Sequence, residues 1–278
     1  QITEKSEVNH LQLGYDAAIR KVDAHVSKLL NELERYGIRE ETAVIITGDH
    51  GEAFGEHGIY AEHAFPHRAC QRVPLIVSWP KVTESTGGTA VDSSIYQFDL
   101  MPTICELFGV DIPEKWDAEA FTPALYGEEF KGREFIVSGH GIYTWGRTLY
   151  TDDWIYTRLL HPGTFSVPGL YNDPNLQNRG LELLHDRSKQ TPHAENVADE
   201  YAEVTQELRH QLDNWTRRLV ETNDAGGVDP LAQMATQSGP FLYYDPDKLL
   251  QLYHRQDRSP AQIENDENCR EYPRSLSE

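Results

Sequence analysis

The sequence predicts an α/β protein, in which a sheet sandwiched by helices is followed by a small antiparallel sheet with a covering helix. A continuous apolar run at residues 43–46 suits a strand buried on both faces, as in a parallel sheet under helices, and residues 73–79 are predicted as a second buried strand. Apolar side chains at residues 7–36 recur at helical spacing. With 278 residues and 38% hydrophobic composition, the chain is long enough to bury a sizeable core.

The first elements have recognisable ends. A helix is predicted from Glu7 to Tyr36, and Gly37 supplies its stop. Val73–Trp79 is predicted as the second buried strand. A further helix is predicted over Asp99–Phe108, with Pro102 in its first turn and Gly109 as its stop.

The later part of the chain has a different sequence pattern. Short β-prone runs with turns between them predict a small antiparallel sheet, and helical spacing over Tyr201–Leu219 predicts a helix that covers it. The runs are Glu134–Ser138, Ile142–Tyr150 and Trp154–Leu160. We therefore predict three parts: residues 1–130 as an α/β domain, 131–222 as a small α+β subdomain, and 223–278 as an irregular tail with one short helical stretch near Leu249–Tyr253.

Composition excludes some classes of partner. The formal net charge of −20 disfavours nucleic acid, because phosphate binding needs a basic surface. No apolar run is long enough for a transmembrane helix, which favours a soluble protein with the cytoplasm as the default compartment and leaves N-terminal signals open. The excess of acidic residues and the scarcity of Lys also fit a salt-adapted organism, which stays a hypothesis.

The three cysteines form no C-x-x-C pair, so no zinc cluster is indicated. Composition does not predict the oligomeric state.

The stretch AVIITGDHGEAFGEHG, residues 43–58, carries the clearest chemical signal. Asp49 and His50 stand together after the first apolar run, at the carboxyl end of a predicted strand, where open α/β sheets place their ligands. Both residue types bind metals, and Asp is also a general base. The alternative interpretation is that the two side chains only cap or line a turn.

Three further passages match one family in the same order along the chain. They are RVPLIVSWP (72–80), FDLMPTICELFGV (98–110) and LELLHDRSKQTPHAENVADEY (181–201). Together with TGDHGEAFGEHG they resemble the sulfatases of the alkaline phosphatase superfamily. The resemblance implies that residues 1–130 form part of an alkaline phosphatase-like domain, and that Asp49 and His50 bind a divalent metal. Calcium is the ion implied by the family, whereas the imidazole of His50, in place of the more usual Asn, moves the site toward manganese or zinc.

The same resemblance suggests substrate contacts. Glu62 aligns with a Lys that contacts the sulfate group in many sulfatases, and its like charge would repel the anion. Either the neighbouring His63 takes over as a catalytic donor, which is the prediction we favour, or the contact to the anion comes from elsewhere. His140 and Arg147 are candidate contacts at the mouth of the site. The alternative for Arg147 is a pairing with a surface carboxylate.

The implied reaction is hydrolysis of a small-molecule sulfate ester by a formylglycine nucleophile. No C/S-x-P/A-x-R motif occurs, so no nucleophile is predicted in this sequence. We expect the chain to be the carboxyl-terminal part of a longer sulfatase and to be inactive alone. A phosphodiesterase or phosphonate monoester hydrolase of the same superfamily, and a truncated non-catalytic binding protein, are the alternatives. Aryl, choline and sugar sulfates all remain open as substrates.

Overall fold

The computed structural model describes residues 5–56, 60–63, 65–141, 146–159, 182–189, 195–222 and 227–232. The helices in these residues are Lys5–Arg35 (α1), Arg68–Gln71 (α2), Leu100–Phe108 (α3), Thr122–Leu125 (α4) and Ala202–Thr222 (α5). The strands are Val44–Thr47 (β1), Ala53–Phe54 (β2), Tyr60–Glu62 (β3), Leu75–Ser78 (β4), Ile136–His140 (β5), Gly146–Tyr150 (β6), Trp154–Leu159 (β7) and Glu182–Asp186 (β8). The predicted α/β class is confirmed.

The chain divides into two compact units. The first contains Asn9–Asp49 and Val73–Ile136, and the second joins His50–Arg72 to the chain from Val137 onwards. The domain boundaries expected near residues 130 and 222 stay predictions. The short helical stretch expected near residue 250 lies outside the described residues, as does most of the predicted tail.

Helix α1 confirms the first predicted helix. The chain leaves it through Gly37, whose φ of +70° lies in the left-handed region that Gly tolerates. Its apolar side chains are largely exposed: Leu13 is 66% and Leu29 66% exposed. None of the described helices has the length and apolarity needed to span a bilayer.

Strand β1 pairs with β4, as an antiparallel two-stranded sheet. The register runs from Val44 opposite Ser78 to Thr47 opposite Leu75. The expectation of strands buried on both faces with parallel neighbours is wrong for this pair, since their side chains are half-buried or exposed. An apolar run indicates a strand but carries no information on the direction of its partner.

Helix α3 begins one residue after the predicted start and ends as predicted at Gly109, whose φ is +65°. Asp99 is fully buried, and its carboxylate accepts a hydrogen bond from the Tyr96 amide at 2.7 Å. Arg133 binds both oxygens of the same carboxylate. The Asp99 carboxylate therefore caps the short helical turn at residues 97–99, whereas it makes no capping hydrogen bond to α3 itself.

The second unit contains a four-stranded sheet in the order β5-β6-β7-β8, in which β6, β7 and β8 pair antiparallel. Strands β5 to β7 confirm the three predicted β-prone runs, although residues 142–145 and 160 lie outside the described part. Strand β8 was not predicted from the sequence. Its ELLHD composition contains good helix formers, so pairing with β7 determines its conformation.

Both faces of this sheet are covered. Helix α5 contacts β7 and buries Leu208 and Leu212, which confirms the predicted covering helix. The opposite face carries a cluster that joins the sheet to residues 53–70. Its members are Ala53, Phe65, Cys70, Leu159 and Leu183. The segment that carries the motif is therefore anchored on a buried apolar surface.

Candidate metal centre

The centre begins directly after β1, where Asp49 and His50 are both exposed. The Nδ1 atom of His50 lies 2.8 Å from the carbonyl oxygen of Gly51. A carbonyl can only accept, so Nδ1 carries the proton in this contact and Nε2 is the ring nitrogen with the lone pair. This tautomer suits a metal ligand that binds through Nε2.

Gly51 holds the backbone between His50 and Glu52 against α2. Its amide donates to the Cys70 carbonyl at 2.7 Å. A Cβ atom at this position would lie 1.9 Å from the carbonyl oxygen of Ala69, so only Gly fits. The side chain of His67 caps α2 by accepting from the Ala69 amide at 3.3 Å. The position of the motif is therefore set by backbone contacts rather than by a loose loop.

The pairing of β2 with β3 brings the second part of the centre into place. Ala53 stands opposite Glu62 in an antiparallel register. In the same register, the residue before Ala53, which is Glu52, stands opposite the residue after Glu62, which is His63. Glu52 Oε2 lies 3.8 Å from His63 Nδ1. His63 also stacks on His50, with ring centroids 3.8 Å apart.

His50, Glu52 and His63 together form a group able to hold a metal ion, which we call the His50–Glu52–His63 cluster. Each residue offers one ligand atom, and these atoms all lie within 4.8 Å of one another. Within the described part of the chain, Glu52 Oε1 and His63 Nδ1 are buried without a hydrogen-bond partner. Imidazole and carboxylate donors fit a divalent cation, and two nitrogen donors suit manganese or zinc better than calcium.

The charge around Glu52 also favours a cation. Burial raises the pKa of the Glu52 carboxyl, and the nearby Glu62 raises it further, against the opposing effects of His63 and His50. A carboxylate that is destabilised by burial and by a like charge gains from a positive ion nearby.

The remaining predicted residues lie in different surroundings. Glu62 ends β3, and its main-chain oxygen accepts from the Cys70 thiol at 3.9 Å. His140 ends β5 and is not part of the cluster. Arg147 makes two hydrogen bonds to Asp229, at 2.7 and 2.6 Å, which is the carboxylate pairing named as its alternative. The substrate roles of Glu62, His63, His140 and Arg147 stay predictions.

Sequence reasoning did not select Glu52 as a ligand. A signal was present, because residues two apart in an extended chain point to the same side, and Glu52 follows His50 by that spacing. The closeness of His63 had no such local signal, since it depends on the pairing of β2 with β3.

The thiol of Cys70 is not a nucleophile of this centre. The side chain is 1% exposed, and burial raises its pKa to about 12. A thiol with so high a pKa stays protonated at neutral pH, and only the thiolate attacks or binds metal. Cys70 is therefore a core residue, in agreement with the absence of a nucleophile motif.

Comparison with known proteins finds similarity to sulfatases. Residues 4–110 match the Sulfatase family model. The N-acetylglucosamine-6-O-sulfatase of Bacteroides thetaiotaomicron is 32% identical over 114 residues, which are 41% of this chain and 20% of that protein. Arylsulfatase K of Bos taurus is 26% identical over 223 residues, which cover 76% of this chain and 37% of its own length.

Solved structures share the fold. A 2-O GAG sulfatase matches with a TM-score of 0.63 at 24% identity, over 77% of this chain and 44% of that chain. The phosphonate monoester hydrolase of Agrobacterium radiobacter matches with a TM-score of 0.58 at 20% identity, over 70% of this chain and 39% of that chain. The fold is thus the alkaline phosphatase-like fold of these structures. The chain is similar in sequence to sulfatases, and the resemblance noted from its motifs is confirmed.

The match covers only part of these relatives. The chain spans less than half the length of the curated proteins and solved structures compared above. The activity, substrates and partners of the whole relatives therefore enter only as proposals.

Proposed function

We propose that this chain is the metal-binding part of a hydrolase that cleaves sulfate esters to an alcohol and inorganic sulfate. One observation carries the proposal: within the Sulfatase match, His50 of the motif lies together with Glu52 and His63 in a group of side chains that could hold a metal ion. The sequence relatives compared above are sulfatases, whereas the phosphonate hydrolase is a likeness of fold at low identity. Sulfate esters are therefore the first substrates to test.

Asp49 and His50 are the proposed metal ligands. Both are exposed at the end of β1, and the hydrogen bond from His50 Nδ1 to the Gly51 carbonyl directs its other nitrogen toward a ligand. When bound, a divalent cation would polarise the sulfate oxygens and offset the charge that develops on them. Glu62 cannot provide that positive charge, because a carboxylate repels an anionic ester.

The nucleophile is proposed to come from polypeptide outside this sequence. The sequence contains no C/S-x-P/A-x-R motif for a formylglycine, and Cys70 is buried with a raised pKa. The relatives are more than twice as long as the part that this chain matches. We therefore expect the 278-residue chain to bind metal without turning over substrate.

Sugar sulfates are the proposed substrate class. Two of the proteins described above are named for sulfated sugars, an N-acetylglucosamine-6-O-sulfatase and a 2-O GAG sulfatase. Aryl sulfates serve as chromogenic probes of the same reaction, and choline sulfate remains a further candidate.

The test compares the 278-residue chain with the complete product of its gene. Both are assayed with an aryl sulfate, glucosamine 6-sulfate, choline sulfate and a phosphonate monoester, with Asp49→Asn as the inactive variant and the exposed His210→Gln as the control. We expect sulfate hydrolysis by the complete product only, lost in Asp49→Asn and kept in His210→Gln. Preferred hydrolysis of the phosphonate would support the phosphonate hydrolase alternative. A complete product with no hydrolysis would support the non-catalytic alternative.

A further inference from the structure

We propose that His50, Glu52 and His63 bind one first-row transition-metal ion of the zinc type, in preference to calcium. The inference rests on the proposed function in that it names the ion of the same centre, but it does not require any hydrolysis. It also changes the expected role of His63, which becomes a metal ligand rather than a proton donor to the sulfate group.

The strand register builds this ligand set. Because Ala53 pairs with Glu62, Glu52 and His63 are cross-strand neighbours, and the side chains of such neighbours meet on one face of the pair. His50 precedes Glu52 by two residues, and its ring lies on that of His63. Three donor atoms from two backbone segments therefore lie within 4.8 Å of one another.

The distances are close to those of a tetrahedral site. Metal–ligand bonds of about 2.0–2.1 Å place neighbouring donor atoms roughly 3.4 Å apart. The Glu52 Oε2 to His63 Nδ1 distance is 3.8 Å, and all three donor atoms lie within 4.8 Å of one another. The pairing of β2 with β3 already brings the backbones of Glu52 and His63 together. Small side-chain rotations are therefore enough to bring the donor atoms around an ion.

Two buried polar atoms provide independent support. In the part of the chain that the structure describes, neither Glu52 Oε1 nor His63 Nδ1 has a hydrogen-bond partner, and both are buried. Each such atom costs about 1–3 kcal/mol when it is left unsatisfied. A cation bound between the two side chains relieves this cost for both residues.

The donor set selects the class of ion. Two imidazoles and one carboxylate suit zinc and its neighbours, whereas calcium takes six to eight oxygen ligands. In the cluster, two of the three donors are nitrogen.

The test uses the 278-residue chain and measures binding rather than activity. Zn²⁺ and Ca²⁺ affinities are measured by calorimetry, and Co²⁺ is added as a spectroscopic probe whose visible bands are intense in a four-coordinate site. The variants are Glu52→Gln and His63→Gln. The matched controls are Glu207→Gln and His210→Gln, both at exposed positions on α5. Circular dichroism checks that each variant is folded.

We expect one tight Zn²⁺ site per chain, no displacement by millimolar Ca²⁺, and intense Co²⁺ bands. Glu52→Gln and His63→Gln should each lower Zn²⁺ affinity at least tenfold and abolish the bands, while both controls keep them. Tighter binding of Ca²⁺ than of Zn²⁺ would overturn the inference. So would unchanged Zn²⁺ binding in both variants together with a loss in Asp49→Asn, since the ion would then belong to Asp49 and His50.

These outcomes separate the inference from the proposed function. Zinc binding with the expected variant pattern, without sulfate hydrolysis by the complete gene product, supports the ligand set and contradicts only the proposed reaction. Sulfate hydrolysis that depends on calcium and survives His63→Gln contradicts only the ligand set.

Discussion

His50 and His63 stack on each other, with ring centroids 3.8 Å apart and ring planes inclined by 25°. The two residues are 13 positions apart in the sequence, and the short pairing of β2 with β3 brings them together. Glu52 lies beside His63 in the same place. The His of the sequence motif thus joins Glu52 and His63 in a three-residue cluster of side chains that could hold a metal ion.

We predict that Gly51→Ala destabilises the protein and weakens metal binding. The new Cβ would lie 1.9 Å from the Ala69 carbonyl oxygen, so the backbone that carries His50 and Glu52 must move away from α2. Overpacking of this kind costs about 1–3 kcal/mol. Urea unfolding and zinc calorimetry measure the two effects.

The control is Gly14→Ala, at a helical position where nothing lies within 4 Å of the added Cβ. We expect it to raise the free energy of unfolding by about 0.5–1 kcal/mol, because Ala loses less conformational freedom in a helix than Gly. Equal effects of the two variants would show that Gly51 is not sterically required.

We predict that His67 makes the protein less stable in mild acid. Burial lowers the pKa of His67 to about 4, with smaller contributions from His185 and Arg68. Between pH 6.5 and 4 the unfolded chain binds a proton here and the folded chain does not. Stability therefore falls as the pH drops through this range, by roughly 3 kcal/mol in total.

His67→Asn tests this contribution without removing the cap. An Asn side chain can still accept from the Ala69 amide at the start of α2, but it does not titrate. Urea unfolding at pH 7 and pH 4.5 should show a smaller acid-induced loss in His67→Asn than in the unmodified chain. An identical loss in both proteins would contradict the assignment.

We predict a large loss of stability for Asp99→Asn. Asp99 is fully buried and binds the Arg133 guanidinium with both oxygens, while it also accepts from the amides of Tyr96 and Glu119. The Arg133 side chain is only 12% exposed. Removing the charge of Asp99 leaves this guanidinium without its buried counterion. Breaking such a pair costs about 3–5 kcal/mol, measurable by urea unfolding.

Glu119→Gln is the matched control, because Glu119 lies 3.7 Å from the same Arg133 but is 68% exposed. Exposed ion pairs contribute little, so we expect no more than about 0.5 kcal/mol for this variant. A similar loss in both variants would mean that burial does not determine the strength of the Asp99 pair.

We predict that Arg147 acts on stability through Asp229. Burial raises the pKa of the Asp229 carboxyl, but the hydrogen bonds and charge of Arg147 outweigh it, so the pKa is lowered overall. This stabilisation is present above the unfolded pKa of Asp and is lost as the pH falls through the folded value. Arg147→Gln should cost about 1–2 kcal/mol at pH 7 and less at pH 3.

The same variant tests the candidate substrate contact. A purely structural Arg147 leaves the KM for sulfate esters unchanged in the complete gene product, whereas an Arg that contacts the substrate raises KM when it is replaced. Asp229→Asn removes the same ion pair without removing the guanidinium, and it separates the two effects.

Local patterns were sufficient for several elements. Helices α1, α3 and α5 follow from apolar spacing of a helical period, and the exits at Gly37 and Gly109 follow from the left-handed conformation that Gly allows. The Asp49–His50 motif was also visible in the sequence. A helix is built from bonds between residues three or four positions apart, so its information is local.

Long-range contacts determined the rest. Four features depend on contacts between separate segments of the chain. They are the antiparallel direction of β1 and β4, the strand conformation of β8, the closeness of Glu52 and His63, and the pairing of Arg147 with Asp229. Neither apolar spacing nor residue type specifies such partners, because strand pairing and ion pairing depend on which segments the folded chain brings within bonding distance. The residues available for metal chemistry could therefore be read from the sequence, whereas their assembly into one ligand set depends on the register of two short strands.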